Sequence, residues 1–459
     1  MRAGGSTGEV LLVDKKSAQK PRIGILCISA IPDDPRVRRQ GDLLTEAGWD
    51  VVAIGLRGAR SAMPDWTCLA IEEQPGSISD AHRELGESLP SAQHKVRRFV
   101  TSRPAMHNVA RIAGRVTRGL RRAVEITRLW HDPTYAETIY WRMSPRFKLM
   151  FDLASRHRVD FWLANDWMTL PIVRQLAAEQ GVRYGYDTHE LAVDEHAQSR
   201  LWRFGQRPVI AAIEAAGIRG AAFVTCVSDG IADRLAEVHG LPQRPTIIRN
   251  MPMYSALPFR ATGETVEVLY HGAVFAGRGL EACIRSVALW RPEFRLTIRG
   301  PSHPDYLDTL RQECMAAGVS ERVIFDEPVP MTDMVARAAS FDVGLFALPD
   351  HSLQNVYVLP NKFFEYTMAG LALCVSDLPE MTRLLKRHDL GTLIAAVTPD
   401  AIAEAVNQLD RASIDRFKQN ALLAAKELNW QAEGRKLLEA CAASIGNPAS
   451  IERQVGTAP

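Results

Sequence analysis

The sequence lacks apolar segments of the kind that cross membranes or direct secretion. No window reaches the roughly 18 uncharged apolar residues that a spanning helix requires. The first 20 residues contain one short apolar stretch, at residues 10–13, so we expect no secretory signal. We therefore expect a soluble, cytoplasmic protein whose contact with a membrane is limited to the surface of the inner face.

Cysteine is scarce, and its arrangement argues against cross-links. The seven cysteines include no Cys-x-x-Cys pair and their number is odd, which disfavours a disulfide framework and a structural zinc site. Cys27 and Cys226 lie within apolar runs, where a free cysteine behaves as a small buried hydrophobe. A reducing compartment fits this pattern.

Neither sign of charge dominates the chain. Lys and Arg number 55 against 53 Asp and Glu, a net charge of +2, so we expect no nucleic-acid partner. The charge is uneven locally, because residues 94–128 contain ten Lys or Arg and one acid, Glu125. Apolar residues interleave with these cations, which predicts an amphipathic helix lying on an anionic membrane. The alternative is an ordinary helix with a solvated basic face.

The length of 459 residues suits two or three domains. Apolar strand-like runs alternate with helical segments twice along the chain, which predicts two doubly wound α/β domains. The predicted strands of the first domain are residues 22–29, 50–55, 159–165, 182–187, 223–227 and 246–249, and those of the second are 266–270, 295–298, 323–325, 343–346, 371–376 and 391–394.

These patterns divide the chain into six segments. The segments are a disordered tail (1–21), an N-terminal Rossmann-like domain (22–250) with a helical basic excursion (74–143), a linker (251–263), a C-terminal Rossmann-like domain (264–412), helices that cross back to the first domain (413–445) and a mobile tail (446–459). The linker carries two prolines and little periodicity.

A glycine-rich turn between a strand and a helix is the first candidate for binding phosphate. Residues 270–280 read Tyr-His-Gly-Ala-Val-Phe-Ala-Gly-Arg-Gly-Leu. Gly272 and Gly277 allow close approach of the backbone, and the following helix N-terminus favours an anion. Arg278 adds a planar guanidinium suited to pyrophosphate. Such turns are common and many bind nothing, so the motif needs support from a second one.

The second candidate is the start of a helix after residue 359. Pro360 suits helix entry, and Lys362 and Glu365 share one helix face. The cation is suited to phosphates and the carboxylate to sugar hydroxyls. The alternative is a weak surface ion pair. A cation in a first turn opposes the helix dipole unless it serves an anion, which favours the binding interpretation.

Polar residues of the first domain follow two predicted strands. Thr188, His189 and Glu190 stand at the carboxyl end of one strand, and Asp166 stands at the end of the preceding one. Ligands of open α/β sheets bind at these ends. The alternative for a lone histidine is a satisfied structural role.

In this order, the segments resemble the family 4 glycosyltransferases, which are retaining enzymes of the GT-B fold that use nucleotide sugars. The resemblance runs from about residue 22 to 445, apart from the basic excursion. Besides the motifs above, the matching segments are residues 34–39, 186–191, 227–231, 249–252, 360–370, 377–380 and Trp430.

The resemblance implies two Rossmann-like domains facing a cleft, with the nucleotide-diphosphate sugar on the C-terminal domain and the acceptor on the N-terminal domain. It implies transfer without a metal or other cofactor, and the sequence has no Asp-x-Asp motif. The implied catalytic residues are His189, Arg278 and Lys362. The implied donor-binding residues are Gly272, Ala273, Gly277, Leu359, Asn361 and Glu365. The candidates on the acceptor side are Arg36, Asp166 and Glu190.

Two positions depart from the family pattern. Tyr357 stands eight residues before Glu365, where many members have a glutamate, and Ala273 stands where many have a basic residue. Our main expectation is an enzyme of cell-surface polysaccharide or glycolipid synthesis acting on a saccharide or lipid-linked acceptor. One alternative is a non-catalytic GT-B protein that binds a nucleotide or a protein partner. The other is a nucleotide-sugar epimerase, which needs no acceptor.

Overall fold

The structure is a computed structural model and describes residues 20–58, 61–71, 124–195 and 199–445. The predictions for the tails at 1–19 and 446–459, and for most of the basic segment 94–128, lie outside the described residues. Residues 124–131 at the end of that segment are helical.

The N-terminal domain is built on a seven-stranded sheet in which every pairing is parallel, with the order β3-β2-β1-β4-β5-β6-β7. The central strands are buried on both faces, which explains their near-continuous apolar sequence. The strands are β1 (Arg22–Leu26), β2 (Asp50–Leu56), β3 (Thr67–Ile71), β4 (Phe161–Asn165), β5 (Arg183–Asp187), β6 (Val224–Cys226) and β7 (Thr246–Ile247).

The helices of this domain begin and end at residues suited to capping. The Asp34 side chain accepts from two backbone amides at the start of α1, and Ser228 caps α7 through the amide of Ile231 as its sequence position predicts. Gly181 ends α4 in the left-handed conformation. The helices are α1 (Pro35–Glu46), α2 (Tyr135–Met143), α3 (Pro145–Ala154), α4 (Leu170–Gln180), α5 (Arg200–Gly205), α6 (Arg207–Ile218) and α7 (Asp229–His239).

The C-terminal domain contains a six-stranded parallel sheet with the order β10-β9-β8-β11-β12-β13. Its strands are β8 (Val266–His271), β9 (Phe294–Arg299), β10 (Val323–Asp326), β11 (Val343–Phe346), β12 (Ala372–Ser376) and β13 (Gly391–Ile394). Its helices are α8 (Leu280–Ser286), α9 (Pro304–Ala316), α10 (Met334–Ala338), α11 (Leu353–Tyr357), α12 (Asn361–Met368), α13 (Pro379–His388), α14 (Pro399–Asn407) and α15 (Arg411–Ala424), and α16 (Trp430–Ile445) follows.

The predicted α/β class with two parallel Rossmann-like sheets is confirmed by both sheet topologies. Strand β3 was missed by the sequence analysis. The reason lies in its position, because β3 is an edge strand whose residues are largely exposed or half-buried. Its apolar pattern is therefore weaker than that of the central strands.

Helix α16 packs against α1 of the N-terminal domain. The Trp430 indole is buried and donates to the backbone oxygen of Arg39 at 3.2 Å. Glu433 accepts from the backbone amide of Arg249 at 3.0 Å. Helix α16 thus attaches to the first domain and returns across the link between the domains.

Candidate functional site

A cavity of about 760 Å³ opens between the two domains. Asp33 and Pro35 line it from the loop after β1, and Val274 lines it from the loop after β8. The loops after β9 and β10 complete the wall with residues 300–302 and 325–331. All these loops follow the carboxyl ends of parallel strands, where α/β sheets bind ligands.

Beside this cavity, Gly272 and Lys362 are in direct contact. Gly272 has a φ of 113°, and a Cβ built there would lie 2.6 Å from Cε and 2.8 Å from Nζ of Lys362. Because Gly272 has no side chain, the end of the Lys362 side chain can occupy the space next to its Cα. The contact brings the glycine-rich turn and the start of α12, the two phosphate candidates of the sequence, into one site.

The Lys362 ammonium lies over two aromatic rings, at 5.6 Å from the centroid of Tyr270 and 4.9 Å from that of Phe346. Burial and the neighbouring positive charge of Arg278 lower the pKa of Lys362 to about 8. Two cations held close together in a partly desolvated site favour an anion between them.

Arg278 is held by a turn of two left-handed glycines, Gly277 with a φ of 87° and Gly279 with a φ of 74°. Its guanidinium carbon lies 4.6 Å from the centroid of the Phe275 ring. A Cβ at Gly279 would meet the carbonyl oxygen of Ala347 at 2.5 Å. Glycine here thus permits a close backbone approach that positions the arginine.

The donor-side residues predicted from the sequence lie on these two segments. Ala273 and Gly277 are exposed on the turn, Leu359 is buried, and Asn361 is the first residue of α12. Glu365 is 3% exposed and its Oε2 lies 2.9 Å from Nε2 of the buried His271. Although burial opposes its charge, His271 and the nearby cations keep the pKa of Glu365 below its usual value.

On the N-terminal side, a buried ion pair lies beneath the cleft. Arg36 is 2% exposed and its guanidinium binds both oxygens of Asp187, while it also donates to the carbonyl of Ile248. Gln40 and Thr225 donate to the same carboxylate. Burial opposes the charge of Asp187, but Arg36 and His189 hold its pKa far below its usual value. Arg36 was expected on the acceptor side, and in the structure its guanidinium makes these buried bonds beneath the cleft.

His189 sits above this pair among polar side chains of two strand ends. Its Nε2 lies 3.0 Å from Oδ1 of Asn165 and 3.5 Å from Oδ2 of Asp187, and its Nδ1 lies 3.8 Å from Oδ2 of Asp166. Burial disfavours the charged ring, but the two carboxylates prevail and raise the pKa of His189 to about 9. The imidazole is therefore a cation at neutral pH.

Asp166 and Glu190 accompany His189 in the cleft. Asp166 has a φ of 65°, a conformation that few residues other than glycine adopt. Glu190 is exposed, but partial desolvation among the neighbouring side chains and repulsion from Asp166 raise its pKa, while the charges of His189 and Arg278 oppose the rise. The positive charge of Arg278, on the glycine-rich turn of the second domain, therefore acts on Glu190 of the first.

Comparison with known proteins agrees with this geometry. Residues 76–251 match the Glycosyl transferase 4-like domain, and residues 265–411 match the Glycosyl transferases group 1 family. Together the two matches cover well over half of the chain. This chain is a member of the glycosyltransferases. No curated protein sequence matches it.

Solved structures show the same fold as this glycosyltransferase. Sucrose-phosphate synthase from Thermosynechococcus elongatus aligns with a TM-score of 0.64 at 15% identity, covering 92% of this chain and 99% of that one. HepE from Anabaena, in complex with UDP and glucose, aligns with a TM-score of 0.63 at 12% identity, and the alignment covers 92% of this chain and 100% of HepE. WaaG, a glycosyltransferase involved in lipopolysaccharide biosynthesis, aligns with a TM-score of 0.60 at 13% identity, and the alignment covers 93% of this chain and 100% of WaaG. The GT-B architecture predicted from the sequence is confirmed.

Several residues of the candidate site were not predicted from the sequence. His271 partners Glu365, and the loops after β9 and β10 form much of the cavity wall. Gly300, directly after β9, was a sequence signal that could have pointed to this wall of the cavity. A Cβ there would lie 1.8 Å from the carbonyl oxygen of Gly272, so the two strand ends touch.

Two features of the described residues bear on metals and membranes. In residues 20–58, 61–71, 124–195 and 199–445, no cluster of three or more His, Cys, Asp or Glu side chains is arranged to hold a metal ion. Within the same ranges, none of the helices combines the length and the apolar character needed to span a bilayer.

Proposed function

We propose that this glycosyltransferase moves a sugar from a nucleoside-diphosphate sugar to a hydroxyl of a saccharide or lipid-linked acceptor, with retention of anomeric configuration. The observation that carries the proposal is the contact of Lys362 with Gly272 beside Arg278. This contact places the positive charges of Lys362 and Arg278 at a turn where the backbone can approach a ligand closely. A diphosphate has the charge and size that this arrangement suits.

Similar structures support this class of donor. HepE from Anabaena was solved in complexes with UDP and glucose and with UDP-glucose. In the present chain the cavity beside the turn would take the nucleoside, and the cations would take its two phosphates. The side chain of Asn361 at the start of α12 and the backbone of Leu359 just before that helix would contact the phosphates, and Glu365 would accept from the ribose hydroxyls.

In the proposed reaction, the bond between the anomeric carbon and the β-phosphate oxygen breaks. The acceptor oxygen bonds to that carbon from the same face, and its proton goes to the departing diphosphate. Negative charge grows on the phosphate oxygens as the bond breaks. Arg278 and Lys362 would stabilise this charge without a metal, which is the kind of electrostatic term that dominates many enzymes.

His189 would act as a charged hydrogen-bond donor rather than as a base. A histidine with a pKa of about 9 holds its proton at neutral pH. It would donate to the transferred sugar or to the growing negative charge. Asp166 and Glu190, beside it in the cleft, would accept from hydroxyls of the acceptor.

The donor site is tested by thermal unfolding against UDP, GDP, ADP and TDP. A nucleotide at a hundred times its dissociation constant adds about 2.7 kcal/mol to the free energy of unfolding. We expect one nucleotide to do this, and we expect Lys362→Ala and Arg278→Ala to abolish the gain. Lys386→Ala, an exposed lysine of α13, is the matched control. A folded protein that responds to none of the four nucleotides contradicts the proposal.

Turnover separates the two alternatives. With the nucleotide sugar identified, a transferase releases the diphosphate and forms a glycoside only when an acceptor is present. An epimerase converts the donor alone, and a non-catalytic binding protein gives the thermal shift without either product. Nuclear magnetic resonance of the new glycosidic bond then tests retention, because an inverted anomer would contradict it.

We further propose that the enzyme works on a cell-surface polysaccharide or glycolipid at the cytoplasmic face of the membrane. The support is the excess of cations in residues 94–128. Directly after this segment the Trp130 side chain is 73% exposed, as expected of an interfacial anchor. The test is sedimentation with vesicles of anionic or zwitterionic lipid. Binding to anionic vesicles that salt reverses supports the proposal, and equal binding to both kinds contradicts it.

A further inference from the structure

Helix α11 lies between the two domains. It packs against α7 and the turn Ala192–Asp194 of the N-terminal domain, and against α13 of its own domain. Gln354 is 6% exposed and its Oε1 accepts from the backbone amide of Leu191 at 2.5 Å. A buried hydrogen bond of this kind is specific, because separating the domains would leave both groups to be resolvated.

Tyr357, at the end of α11, also makes contact across this boundary. A Cβ built at Gly230 would lie 2.3 Å from Cδ1 of Tyr357, so the ring rests on the glycine backbone. The hydroxyl of Ser228 donates to the carbonyl of Tyr357 at 2.6 Å. Although Tyr357 belongs to the second domain by chain position, its side chain packs against the core of the first.

Charged side chains surround the contact of Tyr357 with Gly230. The amide of Gly230 donates to Oε1 of Glu380 at 2.9 Å, and Arg383 binds both Asp229 and Glu380. Arg383 is half exposed, and exposed ion pairs contribute little to stability. The less exposed part of the contact is therefore the ring of Tyr357 on Gly230, together with the hydrogen bonds of Gln354, Ser228 and Glu380.

The contact adjoins both halves of the site. On one side, Leu191 directly follows His189 and Glu190. On the other, a short connection leads from Tyr357 to Lys362 in the first turn of α12. We propose that Tyr357 is a positioning residue whose ring, resting on Gly230, holds His189 and Lys362 at the separation that transfer requires. This inference rests on the proposed function.

The test compares Tyr357→Ala, Tyr357→Phe and Gly230→Ala with Leu353→Ala, an exposed apolar residue of the same helix. Loss of the ring should lower kcat by about a hundredfold, the scale of a misplacement of about 1 Å. It should lower the thermal shift with the nucleoside diphosphate less than Lys362→Ala does, because Gly272, Arg278 and Lys362 belong to one domain and, among the described residues, only Asp33 and Pro35 reach the cavity from the other. Gly230→Ala adds a Cβ that displaces the ring, so this variant should show the same loss of kcat and the same thermal shift as Tyr357→Ala. Tyr357→Phe keeps the ring and should keep kcat, as should Leu353→Ala.

Small-angle scattering of the same variants gives a reading that needs no turnover. Tyr357→Ala should have a larger radius of gyration than the wild type, and Leu353→Ala should not. Wild-type kcat in Tyr357→Ala, equal loss in Tyr357→Phe, or an unchanged radius of gyration would each overturn the proposal. If the wild type binds no nucleotide and makes no product, the proposed function fails. The scattering result then still decides whether Tyr357 holds the domains together.

Discussion

Lys362 occupies the space above Gly272 that any other residue would fill with its Cβ. The two residues lie far apart in the chain, on the loop after β8 and in the first turn of α12. Their contact combines a turn able to approach phosphates with a cation able to bind them. Most of the proposed donor chemistry depends on this relationship, and the first two predictions test it.

Gly272→Ala should destabilise the protein and also abolish donor binding. A non-glycine residue at a φ of 113° costs about 1–3 kcal/mol of folding free energy. The new Cβ also displaces the Lys362 ammonium. Gly318→Ala is the matched control, since Gly318 has a φ of 67° and no atoms within 4 Å of an added Cβ. Denaturant unfolding should show a loss in both variants, and calorimetry should show weakened nucleotide binding in Gly272→Ala alone. Unchanged nucleotide affinity in Gly272→Ala would contradict the proposed site.

Nucleotide binding should take up a proton above pH 8. The pKa of Lys362 is lowered to about 8 by burial and Arg278, and a bound diphosphate raises it again. Below pH 8 the lysine is charged with or without ligand, so little proton uptake at Lys362 accompanies binding. Between pH 8 and the ordinary lysine value, binding takes up a proton and affinity falls as pH rises. Calorimetry at pH 9 in buffers of different ionisation enthalpy measures this uptake. If the wild type takes up no proton at pH 9, or if Lys362→Met still takes one up, Lys362 is not the group that gains the proton.

The reaction should slow as pH rises through about 9, where His189 loses its proton. Its pKa is raised from 6.5, so the ion pairs stabilise the fold fully below pH 6.5 and that stabilisation is lost as pH passes 9. His189→Gln should lower kcat by about a hundredfold, as loss of one oriented donor does, without changing the affinity for the nucleoside diphosphate. His131→Gln, an exposed histidine of the same domain, is the control. Activity that rises above pH 9 would instead indicate a basic role for His189.

Breaking the pair of Arg36 with Asp187 should destabilise the protein strongly. Both side chains are buried, and removing one partner of such a pair costs about 3–5 kcal/mol. The exposed pair of Lys148 and Asp152 is the control, because its loss costs under about 1 kcal/mol. Urea unfolding of Arg36→Met, Asp187→Asn and Lys148→Met measures these free energies. An Arg36→Met protein as stable as Lys148→Met would contradict this prediction. If that protein were also unable to bind the acceptor, the result would support the acceptor role expected of Arg36 from the sequence.

The central strands could be predicted because a strand buried on both faces has a near-continuous apolar sequence. The strand predicted at 343–346 coincides with β11, and Ser228 caps α7 where its position predicted. Strand β3 could not be predicted in this way, since an edge strand exposes its residues. The helix starts at Leu280 and Asn361 could also be predicted, because helix starts after glycine-rich or proline-containing turns have recognisable sequences, while phosphate binding there stays a prediction.

The two α/β domains, the glycosyltransferase family and the segments that carry the candidate chemistry could all be predicted from the amino-acid sequence alone. Which side chains meet depends on the folded chain. The fold buries Arg36 with Asp187, pairs Glu365 with His271, and places Tyr357 on Gly230. The physical reason is that burial and capping depend on neighbours in the chain, and local sequence records them. Contacts between residues far apart depend on strand order and on how the two sheets face each other, which no local pattern encodes.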